Sequence, residues 1–183
     1  MLKLQGATIY LSVLEREHCK TLYNNFEYDF ASKTEPLLIG HSLEKADDWF
    51  EEIQKLQGNT NVRLGVFLNT GEVIGDVALQ NINWRNRVCD LGLGITQLQH
   101  RGKGYGSQAV GLLLAYAFDN LGLERITANT LEQNIGAQKS LEKSGFVLEG
   151  VSRKAVYFAG QRFNKLHYGI LAEEYRAMQT LTH

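Results

Sequence analysis

Halfway along the chain the apolar residues change their period, and that change restricts the possible folds more than any other feature. Val62, Leu64, Val66 and Leu68 alternate with Arg63, Gly65 and Phe67, Asn69-Thr70-Gly71 makes a turn, and residues 73–79 alternate again. A second turn at residues 81–87 leads into a third such run at residues 88–96. Strand side chains point to opposite faces in turn, so three runs of period two joined by short turns predict an antiparallel β-meander. Beyond Tyr105 the spacing becomes three and four. Val110, Leu113, Leu114, Ala117, Phe118 and Leu121 share one helical face, and Gly122 follows where a helix end takes a left-handed residue.

The flanking segments complete the pattern. Residues 7–13 read as a strand and 14–26 as a helix with Leu14, Leu22 and Phe26 at helical spacing; a loop around Pro36 follows. Ser42 is the expected N-cap of a second helix whose face carries Leu43, Ala46, Trp49, Phe50, Ile53 and Leu56, and Gly58 ends it. After Gly122 come a short strand at 126–130 and a helix at 134–144 closed by Gly145. If Gly145 is the left-handed residue of a Schellman cap, Phe146 touches Leu141. Strands at 146–157 and 163–171, joined at Ala159-Gly160, close the chain. The order β-α-α-β-β-β-α-β-α-β-β implies an α+β fold, a mixed, mostly antiparallel sheet with helices on both faces. With 183 residues, one proline and no repeat or low-complexity stretch, residues 1–183 are expected to form a single domain.

Charge narrows the partners. Lys plus Arg number 19 and Asp plus Glu 20, a net charge of -1, so no global field draws the chain to nucleic acid or anionic lipid, and neither is an expected partner. No basic segment precedes an apolar run and no 18 consecutive apolar residues occur, which points to the cytoplasm. Cys19 and Cys89 are far apart and outside any C-x-x-C spacing, so they read as reduced, packed residues, and no metal site is expected. His18, His41, His100 and His167 read first as surface or core residues.

The segment that carries chemistry is Arg101-Gly102-Lys103-Gly104-Tyr105-Gly106-Ser107, between the third meander strand and the long helix. Three alternate glycines let backbone N–H groups turn inward, and the helix start behind them adds unpaired donors and a positive dipole end; such a turn binds a pyrophosphate. Arg101 and Lys103 can add charge-assisted contacts. A Walker A loop is excluded because Gly104, not Ser or Thr, follows Lys103. A Rossmann fingerprint is disfavoured because Ser107 holds its third glycine place and a meander precedes it.

These residues resemble the GNAT superfamily of N-acetyltransferases. Residues 101–106, R-G-K-G-Y-G, match its [QR]-x-x-G-x-[GA] signature, and Asn134, Ala137, Leu141, Glu142, Lys143, Gly145 and Phe146 look like its N-x-x-A-x-x-x-[YL]-E-K-x-G-F segment. The runs Asn83-Trp84-Arg85-Asn86-Arg87 and Leu121-Gly122-Leu123 are similar to the RimJ/RimL type within it. The resemblance implies the acyl-CoA N-acyltransferase fold and acetyl-CoA as co-substrate. Its pyrophosphate would sit on Arg101, Gly102, Lys103, Gly104, Tyr105, Gly106 and Ser107, with Asn134 as a further CoA contact and helix cap.

By the same resemblance the strand at 91–96 pairs with pantetheine, and backbone near Ile95 and Thr96 polarises the thioester carbonyl. Asp90 stands where many relatives carry the acid that takes the amine proton, and it shares a strand face with Gly92 and Gly94, which leave room for a substrate. The bland reading pairs Asp90 with Arg85 or Arg87. Relatives' thiolate proton donors are absent, since Leu141 and Ala137 occupy their positions; Ser140 is the neighbouring hydroxyl, though helical geometry turns it away from the Leu141 side, and water is the alternative donor. The acidic residue near His167 in relatives reads Asn164 here.

The resemblance implies a primary amine as the expected acceptor. Deprotonating a lysine-like amine at neutral pH costs about 4 to 5 kcal/mol against roughly 1 for a peptide α-amine, which favours a protein N-terminus. The acidic run Glu44, Asp47, Asp48, Glu51 and Glu52 would suit a polyamine or other small amine if it faced a pocket. A non-catalytic acyl-CoA-binding module is the alternative of a different kind. Similar enzymes are frequently dimers, which makes a homodimer an option.

Overall fold

The computed structural model describes residues 2–28, 42–158 and 160–181; the expected loop around Pro36, His41 and the Ala159 half of the last turn lie outside them. The strands are β1 Lys3–Gln5, β2 Ile9–Ser12, β3 Val62–Leu68, β4 Val73–Asn83, β5 Val88–Ile95, β6 Arg125–Leu131, β7 Val147–Phe158 and β8 Gln161–Leu171. The helices are α1 Arg16–Asn24, α2 Glu44–Leu56, α3 Tyr105–Ala115, α4 Ile135–Lys143 and α5 Ala172–Leu181. The strands form one sheet in the order β1-β2-β3-β4-β5-β6-β8-β7, antiparallel except for the β5–β6 pair.

Alternation in the meander decides which face each helix covers. Leu64 and Val66 of β3 join Val77 and Leu79 of β4 beneath Val110, Leu113 and Leu114 of α3, all almost fully buried. Each such burial contributes about 1.5 to 3 kcal/mol. Phe67, one residue out of phase, packs on the opposite face with Leu14, Cys19, Leu22 and Ile53 under α1 and α2. Helices therefore cover both faces. Burial pushes the Cys19 thiol up to about 11 and the Cys89 thiol up to about 12, so both stay protonated.

Several ends differ from the sequence pattern. Helix α1 begins at Arg16, two residues late, because the Glu15 N–H is held by His18 Nδ1 at 3.1 Å. Leu43, not Ser42, is the residue before α2, and Ser42 bonds the Glu44 side chain instead. Strand β4 runs on to Asn83, so the second turn shrinks to Trp84–Arg87, with Asn81 at φ 52 and Arg87 at φ 55. After Ala115 the third helix widens into a π-turn, Tyr116–Asn120, before Gly122 at φ 67 ends it. Two elements had no counterpart in the sequence reading: β1 at the sheet edge, and α5, which packs Tyr175 against Phe118 with ring centroids 5.2 Å apart.

Candidate active site where two strands part

β5 and β6 pair only from Val88–Arg125 to Leu91–Ala128. Beyond that row β5 stays with β4 as far as Ile95, while β6 stays with β8 as far as Leu131. A wedge opens between them. Gly75 shows what draws β5 aside: a Cβ there would lie 2.1 Å from the Gly94 carbonyl oxygen, so the end of β5 leans onto β4 at a spot only glycine leaves open. The Thr96 N–H donates to the Ile74 carbonyl at 3.0 Å, on the β4 side. Successive backbone groups of a strand face opposite edges, so the N–H groups of Leu93 and Ile95 face the wedge.

The glycine turn lies at the mouth of this wedge. Gly102 and Gly104 adopt φ of 73 and 84, and nothing stands within 4 Å of a Cβ at either, so glycine is needed there for conformation rather than space. Among the described residues, the six N–H groups from Gly102 to Ser107 have no protein acceptor; the next, that of Gln108, donates to the Gly104 carbonyl at 3.0 Å. Six successive donors ahead of an eleven-residue helix form an anion cradle. A Cβ on Gly106 would lie 3.1 Å from Leu93 Cδ2, so the cradle packs directly on the wedge strand.

Helix α4 forms the other wall. Asn134 Oδ1 accepts the Ala137 N–H at 3.1 Å, capping the helix and leaving its amide nitrogen for a ligand. Leu141 turns into the core beside Phe146, whereas Ser140 faces α3 and its Oγ lies 3.0 Å from Ser107 Oγ.

Two expected cofactor residues have other tasks. Thr96 spends both its N–H and its hydroxyl on the Ile74 carbonyl, and its own carbonyl accepts from Glu27 N–H at 3.0 Å. The Arg101 Nε donates to the Ile95 carbonyl at 2.9 Å and its Nη2 to the Glu27 carbonyl at 3.4 Å, so the guanidinium braces the loop. Glu27 completes the strap by accepting Leu98 N–H at 2.7 Å. None of this was legible in the glycine pattern, because the brace joins segments more than 70 residues apart.

The sheet face opposite α3 presents polar side chains beside the wedge. Asp90 is half-buried, held by Asn81 Nδ2 at 2.9 Å and by the Thr127 hydroxyl. Neither Arg85 nor Arg87 pairs with it; Arg87 reaches Glu124 at 3.5 Å. Ile95 is five residues on, about 16 Å along the strand, so Asp90 is remote from that end of the wedge. Sequence reasoning missed a second carboxylate on this face. Asp76 on β4 sits opposite Gly94 and is bonded to Arg63 of β3, their side chains 16% and 17% exposed. The signal was present as two opposite charges inside otherwise apolar runs of one hairpin. Farther along the face, Arg125 and Glu149 form a two-fold bridge under Gly169, and the Ser152 hydroxyl meets His167 Nε2 at 2.7 Å.

Residues 9–147 match the acetyltransferase (GNAT) domain family. The chain belongs to the GNAT acetyltransferase family. A Bacillus subtilis relative bearing the name "Probable N-acetyltransferase YjcK" is 30% identical over 86% of this chain and 90% of its own length. Among solved structures, the spermidine N-acetyltransferase from Vibrio cholerae in complex with CoA and spermine superposes with a TM-score of 0.81, at 24% identity, over 93% of this chain and 99% of that one. The ribosomal-protein-S5-alanine acetyltransferase from Vibrio fischeri gives a TM-score of 0.80, at 21% identity, over 96% of this chain and 99% of that one. The GNAT fold is thus the frame on which the wedge, the cradle and the polar face are mounted. Among the described residues, no helix is long and apolar enough to cross a membrane, and no group of three His, Cys, Asp or Glu is placed to hold a metal ion.

Proposed function

We propose that this chain transfers the acetyl group of acetyl-CoA to a primary amine, and that its acceptor is the α-amine of a protein N-terminus. The single observation that carries the reading is the row of six unbonded N–H groups from Gly102 to Ser107, set at the mouth of the wedge. The pyrophosphate docks on that row with Lys103 beside it, pantetheine runs down the wedge along Leu93 and Ile95, and an edge N–H polarises the thioester carbonyl. Asn134 contacts the cofactor from the cap of α4. Ser140, against the first turn of α3, supplies a proton to the departing thiolate. Asp90, held by Asn81 and Thr127, stays at the paired end of the wedge, away from the thioester.

The acceptor assignment rests on charge. Part of the acidic run on α2 is tied to local cations: Arg16 bonds Asp47 and Glu51, Lys20 bonds Asp47, and Lys45 bonds Asp48. Among the described residues, three of the five carboxylates of that run are thus engaged, which weakens its pull on a polyamine. A weakly basic active site also suits an amine that costs about 1 kcal/mol to deprotonate rather than about 4 to 5. The RimJ/RimL likeness and a cytoplasmic place of action fit this acceptor.

Thiol release from acetyl-CoA, followed with a panel of N-terminal peptides, polyamines and amino acids, tests the reading. The peptides should give the highest kcat/KM. Preference for spermidine would replace the acceptor, and CoA binding with no thiol release from any amine would make the chain a sensor of acyl-CoA.

A further inference from the structure

The wedge needs a group that takes the proton from the attacking amine, and Asp90 is poorly placed for it. Both Asp90 oxygens are engaged, by Asn81 and Thr127, and it stands in the row next to the last at which β5 and β6 still pair. Asp76 differs on both counts. Its Oδ2 is held by Arg63, while Oδ1 has no hydrogen-bond partner among the described residues. That free oxygen would lie 3.5 Å from a Cβ on Gly94, on the sheet face beside the stretch where β5 has parted from β6, whereas Gln80 covers Gly92.

We propose that Asp76, oriented by Arg63 and facing Gly94, is the residue that receives the acceptor's amine and takes its proton. The proposal rests on the acetyltransferase reading above and names the base within it. The amine lone pair forms the new C–N bond as the thioester C–S bond breaks. The N–H proton passes to Asp76 and then to solvent, and the thiolate takes a proton from Ser140, which solvent restores. Burial raises the Asp76 carboxyl above its ordinary range against the opposing Arg63 charge, which makes it a stronger base than an exposed aspartate. The charged group that acts on it is Arg63 on β3. Gly94 is the complement on the other strand, since a side chain there would stand between the carboxylate and the substrate.

The test compares Asp76→Asn with Asp90→Asn in the intact chain, reading thiol release against the best peptide acceptor and acetyl-CoA affinity by calorimetry. A general base contributes about 100-fold or more. Asp76→Asn should lower kcat by about that factor with acetyl-CoA affinity held within about threefold, while Asp90→Asn loses less than about tenfold. The loss should be smaller for acceptors whose amines have low pKa, which a purely structural role would not produce. If Asp76→Asn does not fold, Gly94→Ala decides: its Cβ makes ordinary contact at 3.5 Å, so the fold stands while the approach to Asp76 is filled. Acceptor kcat/KM in that variant should fall at least about tenfold. A wild-type rate in whichever variant folds overturns the assignment of Asp76. Absence of turnover in the wild type overturns the acetyltransferase reading itself.

Discussion

The hydroxyl oxygens of Ser107 and Ser140 lie 3.0 Å apart, joining the first turn of α3 to the middle of α4. One hydroxyl belongs to the anion cradle and the other to the wall beside it, so the pair stands where the cradle leads into the wedge.

That placement predicts the behaviour of Ser140→Ala. If its hydroxyl protonates the thiolate, kcat falls about 10- to 100-fold while acetyl-CoA affinity is unchanged, because the group acts only as C–S bond cleavage proceeds. Steady-state thiol release with calorimetry of CoA binding checks it. Equal losses in kcat and in CoA affinity would make Ser140 a binding residue.

Gly104 carries a conformational demand without a steric one. Ala in the left-handed region costs about 1 to 2 kcal/mol, so Gly104→Ala should either lose that much stability or flatten the turn. If the turn flattens, the N–H row is disturbed and CoA affinity should drop about tenfold, which corresponds to about 1.4 kcal/mol; if the left-handed turn is kept, only stability falls. Denaturant unfolding and calorimetry measure the two effects separately.

Much of this architecture could be read from the residues, and the parts that could not share a cause. The meander and α3 were legible because strand and helix impose different periods on the same apolar set. The cap after α4 was legible because only a left-handed glycine closes a helix in that way: Gly145 sits at φ 91, its N–H donates to Glu142 at 3.0 Å, and that of Phe146 to Leu141 at 3.0 Å. The cradle was legible for the same backbone reason. Helix α5 was hidden because it follows β8 without a turn residue, and its apolar stripe is short, carried by Ala172, Tyr175 and Met178. The Arg63–Asp76 pair and the Arg101 brace depend on strand register and loop placement, which alternation alone leaves undetermined.

The bridge between Arg125 and Glu149 gives the fold a pH dependence of known sign. Hydrogen bonding to Arg125 holds the Glu149 carboxyl below its ordinary range near 4.5. A depressed pKa contributes stability that is fully present above the unfolded value and is lost as pH falls through the folded one. Both groups are about one-third exposed, so screening limits the contribution to about 1 kcal/mol or less. Glu149→Gln should therefore melt below the wild type at pH 7, and the gap should close once the pH is brought well under the ordinary glutamate range. A gap of constant size across that interval would contradict the assignment.

The central claim is that a diphosphate is bound by main-chain N–H groups at the head of α3. Titrating the isotopically labelled protein with CoA and following its amide resonances tests this most directly. The account predicts that the amides of Gly102 to Ser107 shift together and saturate at one concentration, accompanied by Leu93 and Ile95. Resonances of the cradle that stay fixed while others move, or no saturable shift anywhere, would contradict it.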